Sequence, residues 1–470
     1  MTTPPPATAV AAENSQPPAR STLWPVALEW LLVAVGVWLV AVQSHPEIAS
    51  DGKIRYETLL ALVNDHKVSP ERYSILQSLL AVPFYYVGNA FGAGEAAVAH
   101  FNAVVFVLSL LGFYALLFRR ISSTVLRRTI LLLLAASMFG HHLQTFYGEV
   151  LTACAALLGI AALVAERPLL AGAFMCIAVV NTPVALLGLL LANGLWALRT
   201  RRFLQAAWPV ALSLGLVLLE FWWRRGSPFN SGYDGDAGLS TFLPTSGQPG
   251  FSFPFVFGLL ALTLSFGKGL FFFAPGMSLH LAGYPTDEPD VLAFARYSLA
   301  FLVGLILAYA KWWAWYGGWY WGPRFLLFGA VPASFALAAH LTWRDARLSA
   351  RLALLPLLAF SAWVAISGIV FDQRNMDICR ERHYRLESVC WYTPEFSALF
   401  RPFYVEQDLD LRAKSIIAYA AIVVIALGAS RLWPLARDLY GVGKDLALGR
   451  VDAQREPSAP TSSTTRMPEA

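Results

Sequence analysis

The sequence predicts an all-α polytopic membrane protein: a bundle of about twelve transmembrane helices, with interfacial helices in its first outer loop. Three observations lead there. Of 470 residues, 57% are hydrophobic and only 14% charged, and a soluble domain of this length cannot hide so much apolar surface. The apolar runs are continuous rather than alternating, which excludes a transmembrane barrel. The arginines and lysines fall in alternate short connections, as the positive-inside rule asks of a multi-pass chain. The net charge of +5 is scattered through those connections, so there is no basic stripe for nucleic acid.

Taken in order, residues 1–22 are rich in Pro, Ala, Ser and Thr and read as a disordered cytoplasmic tail. Residues 24–42 form a first span, longer than the apolar core of a signal peptide and without a convincing cleavage site, hence an anchor. The polar stretch at 51–67 follows. Ser50 or Asp51 can cap a helix there, and Tyr56, Leu59, Leu60 and Val63 recur at i, i+3, i+4, i+7 as one apolar stripe. Lys53, Glu57 and Asp65 fall mainly elsewhere, so this helix is too polar to span and lies along the interface.

Residues 74–91 are apolar but interrupted by Pro83 and Gly88. If they lie in the outer interface, the next span is Asn102 to Phe118, ending inward at Arg119-Arg120. Further spans are then expected at 129–143, 149–165, 168–181, 183–198, 204–223, 270–284, 297–312, 323–341, 351–371 and 414–433. Inward loops hold Arg127, Arg128, Arg167, Arg199, Arg201, Arg202, Arg344, Arg347, Arg351, Arg437 and Lys444. Were 74–91 to span, Arg119, Arg120, Arg127 and Arg128 would face out, against the rule. The expected organisation is therefore a transmembrane domain at 23–441, outer loops at 44–94, 224–269 and 372–413, and a cytoplasmic tail at 442–470.

The inside has only short turns and tails, and no Walker or GxGxxG element occurs in a strand-helix context. Chemistry is expected on the outer face. Cys154 and Cys176 lie inside apolar runs as inert core residues. Cys379 and Cys390 share one polar loop and can pair if it faces an oxidising compartment.

Asp51 stands at the head of a helix, where the dipole favours its ionised form. Arg55 follows one turn later and Lys53 is adjacent. A carboxylate beside cations can take a proton from a hydroxyl while the cations hold an anionic leaving group. A plain N-cap with solvated neighbours explains the same residues. In WYGGWYWGPRF (315–325), Arg324 can grip phosphate with two parallel hydrogen bonds at the mouth of a span, or serve as a snorkelling anchor. Lys268, between two glycines in LSFGKGLFFFAPG, has the same logic. Arg224 and Arg225 break the positive-inside bias and invite an anionic partner or interfacial anchoring. Glu149 near the start of a span is costly unless paired or wet. His141 and His142 point to different helix faces, and the DxD-like pair Asp234 and Asp236 sits in a Gly-rich loop, so support for a divalent metal is weak. No other cofactor is expected.

With these residues in view, the chain resembles the GT-C superfamily of integral-membrane glycosyltransferases, in its polyprenyl-phosphate-sugar branch of aminoarabinose transferases and protein O-mannosyltransferases. The resemblance rests on DGKIRY opening the first outer loop, on interfacial helices before the second span, on the sharp turn Val180-Asn181-Thr182-Pro183, and on GGxxWGPRF opening a late span. It implies Asp51 as base and Arg324 and Lys268 as holders of the donor phosphate, with Arg55 and Lys53 as further candidates. Glu149, His142, Tyr233, Trp315, Tyr316 and Trp319 are candidate acceptor or sugar contacts. The implied activity is inverting transfer of a sugar from a polyprenyl-phosphate donor to a hydroxyl of a glycan, lipid or protein, at the extracytoplasmic face of the plasma membrane and among its lipids. Two features depart from the pattern: Asp51 precedes Arg55 by four rather than three, and there is no large soluble C-terminal domain. The rival reading is a transporter or flippase for an anionic lipid or polyprenyl-linked glycan, which the missing internal repeat and the lack of charges deep in the spans disfavour.

Overall fold

The computed structural model describes residues 23–43, 46–238, 240–343, 348–371, 376–405 and 408–447, so the tail at 1–22 and residues 448–470 lie outside the described residues. The chain divides into Met1–Val424 and Ile425–Ala470, the second holding the end of the last helix. Among the described residues the regular structure is helical, joined by turns and loops, with one parallel bridge between Glu47 and Thr145.

The N-terminal half carries α1 (Leu23–Gln43), α2 (Asp51–Val63), α3 (Leu76–Asn89), α4 (Gly94–Ala99), α5 (Phe101–Leu117), α6 (Ser123–Ala135) and α7 (Phe139–His142). Four longer helices follow: α8 (Gly148–Val164), α9 (Pro168–Asn181), α10 (Ala185–Thr200) and α11 (Phe203–Arg225). Beyond the long loop come α12 (Phe255–Leu264), α13 (Leu270–Phe273), α14 (Leu279–Ala282), α15 (Pro289–Tyr309), α16 (Ala330–Thr342) and α17 (Leu348–Ile366). The chain closes with α18 (Glu381–Tyr384), α19 (Glu387–Tyr392) and α20 (Leu411–Ala447). Thus residues 442–447, expected in a tail, continue a helix.

Among the described residues, seven helical stretches are long and apolar enough to cross a membrane, and four shorter apolar helices join them. The chain is a multi-pass membrane protein. Two expected spans are not single helices. The 129–143 run breaks after Ala135, where Gly140 of α7 packs so closely on Ile369 that a Cβ would lie 2.3 Å from its Cδ1. The 270–284 run breaks at Pro275-Gly276, because Pro275 has no N–H and a Cβ on Gly276 would lie 2.4 Å from the Ala333 carbonyl. Conversely, the expected loop 224–269 contains the apolar helix α12.

Arg127 and Arg128 are the third correction. They are not loop residues: both sit buried in α6 and grip Glu29 of α1, at 2.9 and 3.0 Å. Burying a carboxylate next to two guanidiniums is tolerable where burying any of them alone is not, which explains why these arginines leave the loop. The helices therefore do hold buried charge, at the N-terminal parts of α1 and α6.

Close helix crossings use small residues. A Cβ on Gly304 of α15 would lie 2.4 Å from the Gly188 amide of α10, so only glycine lets these backbones meet. On the outer loop, α2 buries Leu59 in a cluster with Ala81, Val98, Phe101, Phe146 and Leu151, and Tyr56, Leu60 and Val63 pack against it. The predicted stripe is the buried face. α3 carries Pro83 within it and is absent from the helices long enough to span.

Candidate functional site

The site forms where the α2 head, the α8 head and the 315–325 stretch converge. Backbone pairing of Glu47 to Gln144 at 3.0 Å ties the approach to α2 to the turn before α8. The chain then reverses at Ser50, whose φ of 49° launches α2 with Asp51 as its first residue. Neither Ser50 nor Asp51 caps this helix through its side chain. Asp51 is instead free to bind elsewhere.

Its partner is Arg324. The guanidinium donates to Asp51 Oδ2 at 2.7 Å, and its Nε lies 3.7 Å from Glu149 Oε1. The three side chains are only 12–16% exposed. One cation thus serves two carboxylates, and the rings of Tyr147, Tyr320 and Phe325 lie 5.0–5.6 Å from its carbon. Gly317, with φ 74°, makes the turn that lets the Arg324 stem pass; a Cβ there would lie 2.8 Å from its Cγ.

Arg55 is the second buried cation. It donates to the Ser74 carbonyl at 3.4 Å and its guanidinium lies 4.8 Å from the Tyr73 ring. Gly148 gives it room, since a Cβ would lie 2.5 Å from its Nη2. Burial by itself raises the Asp51 carboxyl, but the charge of Arg324, hydrogen bonds from Tyr73 and Arg324, and the charge of Arg55 outweigh it. Asp51 sits below the ordinary carboxylate value and is ionised. Burial and the neighbouring Asp51 charge hold the Tyr73 hydroxyl above the ordinary tyrosine value, so it remains a donor.

The loop carrying Tyr73 is held from α11. Arg224 donates to the carbonyls of Ser69 and Tyr73 at 2.7 and 2.5 Å and pairs with Glu220, which accepts from Ser74 and the Ile75 amide. Arg225 donates to the carbonyls of Pro70 and Glu71. The two arginines that break the positive-inside bias are bonded to this loop, and Asp236 of the DxD-like pair is bonded to Arg72 at 2.6 Å.

The structure thus brings together Asp51, Arg324, Glu149 and Arg55, with Tyr233 close by, its ring 6.4 Å from that of Tyr73. The other candidates stand apart. Lys53 is exposed, 4.0 Å from Glu57. Lys268 is buried, and its amine donates to the carbonyls of Gly318 and Tyr320 at 3.2 and 2.5 Å. Trp315 and Tyr316 are buried against Trp391, Tyr316 stacked at 3.9 Å, and Trp319 lies under Arg380 at 4.7 Å. His142 is fully buried behind Tyr320, 5.3 Å between rings, with neither ring nitrogen hydrogen-bonded. Sequence reasoning missed Tyr73, Tyr147 and Glu220. Only Glu220, an acid in an apolar run, carried a signal. Cys379 and Cys390 form a disulfide, and Cys154 and Cys176 are free and buried. Among the described residues, no group of three metal-ligating side chains comes together.

No family profile and no curated protein matches the chain. Among solved structures, it is similar to two of ArnT from Cupriavidus metallidurans, one bound to undecaprenyl phosphate and one in the apo state. Each likeness has 14% identity and a TM-score of 0.49, over 88% of this chain and 78% of that one.

Proposed function

We propose that the chain is a glycosyltransferase of the GT-C kind that moves a sugar from a polyprenyl-phosphate donor to a hydroxyl acceptor, with Asp51 as base. The observation that supports this best is the shared clamp. Arg324 contacts Asp51 at 2.7 Å, with Glu149 and Arg55 beside them, at the half-buried head of an interfacial helix. In this reading the acceptor hydroxyl gives its proton to Asp51 as its oxygen attacks the sugar carbon from the face opposite the phosphate. The bond from that carbon to the phosphate oxygen breaks, and polyprenyl phosphate leaves with its charge held by Arg324 and Arg55. Attack from the opposite face inverts the sugar carbon.

The charge of Arg324 makes Asp51 a weak base while the two are bonded. A donor phosphate competing for the guanidinium raises the carboxylate's basicity, so donor binding activates the base. We place the site at the extracytoplasmic face of the plasma membrane. The positive-inside arrangement supports that face, and so does the Cys379–Cys390 disulfide in the outer loop, since disulfides persist outside the reducing cytosol.

The test offers purified protein a panel of polyprenyl-phosphate sugars and detects product by mass spectrometry. Asp51→Asn should cut transfer by about 10²–10⁴-fold without loss of folded protein; full activity would remove the assigned base. Lipid flux in proteoliposomes without new glycosidic product would favour a flippase instead.

A further inference from the structure

Lys268 and Glu387 have no part in the clamp, yet both are buried, at 3% and 6% exposure. We infer that Lys268 is a positioning residue, through which the disulfide-closed outer loop fixes the backbone that carries Arg324. The inference rests on the transferase reading for its catalytic consequence, though not for its structural one.

The geometry runs through three layers. Glu387 lies inside the loop closed by Cys379 and Cys390. That loop grips the segment before Lys268: the Gly267 amide donates to the Trp391 carbonyl at 2.9 Å, and Gly267 passes so close to Cys390 that a Cβ would lie 1.9 Å from its carbonyl oxygen. Lys268 then reaches the other way and donates to the carbonyls of Gly318 and Tyr320. Gly317 and Gly318 there adopt φ of 74° and 75°, a turn that cannot hold itself by side-chain packing. Its backbone abuts the Arg324 stem, and Tyr320 lies beside the guanidinium. The lysine is thus the polar tie between the disulfide loop and the clamp turn.

Charge explains the choice of residue. Among the carboxylates it is Glu387 whose charge acts on the buried Lys268 amine, with no direct bond between them; the Glu387 Oε1 itself has no hydrogen-bond partner. Burial pulls the Lys268 amine below its ordinary value; the Glu387 charge opposes this, and Arg324 adds to it. Burial raises Glu387, which Lys268 opposes. The other titratable groups acting on or facing Lys268 and Glu387 are Arg324, His141, His142 and Tyr316.

The experiment measures hydrogen exchange and transfer on the full chain in detergent. Lys268→Met should speed amide exchange at 315–324 at least about tenfold, leave α8 and α9 unchanged, and raise donor KM about tenfold or more. Glu387→Gln should keep the turn protected but move the alkaline limb of kcat/KM toward lower pH, because the ammonium loses its counter-charge. A purely structural role would not move that limb. Should Lys268→Met fail to fold, the double variant Lys268→Met/Glu387→Gln, which buries no lone charge, reads the same peptides. Unchanged exchange at 315–324 without the lysine, or an unmoved limb in Glu387→Gln, would overturn the inference. If the wild-type chain transfers no sugar, the transferase reading fails, while the exchange result still decides whether the lysine holds the turn.

Discussion

Removing Arg324 tests the site most directly, because two carboxylates lose their counter-charge together. At an effective dielectric constant of about 20 and roughly 4 Å between charge centres, the Asp51 contact is worth on the order of 4 kcal/mol. The Glu149 contact, at 3.7 Å between heavy atoms, is weaker. Part of this offsets desolvation, and truncating one partner of a buried pair costs about 3–5 kcal/mol. Arg324→Ala should therefore destabilise the folded chain by that amount at neutral pH. The sign with pH follows from Asp51: its folded value is lowered, so its pairing adds stability above the ordinary carboxylate range and loses it as pH falls through the lowered value. The gap between wild type and variant should narrow on acidification. Unfolding in detergent, followed by helix signal at about pH 7 and about pH 2, well below the ordinary carboxylate range, measures it. Adding Asp51→Asn and Glu149→Gln to Arg324→Ala should restore stability at neutral pH, because no lone carboxylate remains. A full-sized loss that persists at low pH, or that the added changes fail to relieve, would show that Arg324 stabilises by packing rather than by charge.

Glu29→Gln should cost about 3–5 kcal/mol, since the buried Arg127 would lose the carboxylate it pairs with at 2.9 Å; a neutral effect in the same unfolding assay would mean this arginine finds water. Gly258→Ala places a Cβ 2.0 Å from the Ala310 carbonyl, so α12 must move off the end of α15, at a cost of about 1–3 kcal/mol; wild-type stability would argue against that packing. Lys53→Cys should react with an impermeant maleimide on intact cells, whereas Arg201→Cys should react only after permeabilisation. The opposite pattern would turn the first loop inward.

The sequence by itself determined what depends on near neighbours. The apolar stripe of α2, the proline-interrupted α3 and the helices α1, α5, α8, α9, α10 and α11 follow from local hydrophobicity and periodicity, which a chain in lipid cannot violate cheaply. Tertiary structure decided where each charge went. Asp51 and Arg324 are 273 residues apart, and nothing in either stretch names the other. Lys268 and Arg324 look alike in sequence, a cation among glycines beside aromatics, yet one faces two carboxylates and the other two carbonyls. Arg127 and Arg128 read as a cytoplasmic loop until Glu29 across the bundle gives them a reason to be buried. The physical cause is common to all of these. Apolar burial is nearly direction-free and legible from composition, whereas a buried charge is tolerated only at a distance and angle set by its partner, and that partner is supplied by the fold.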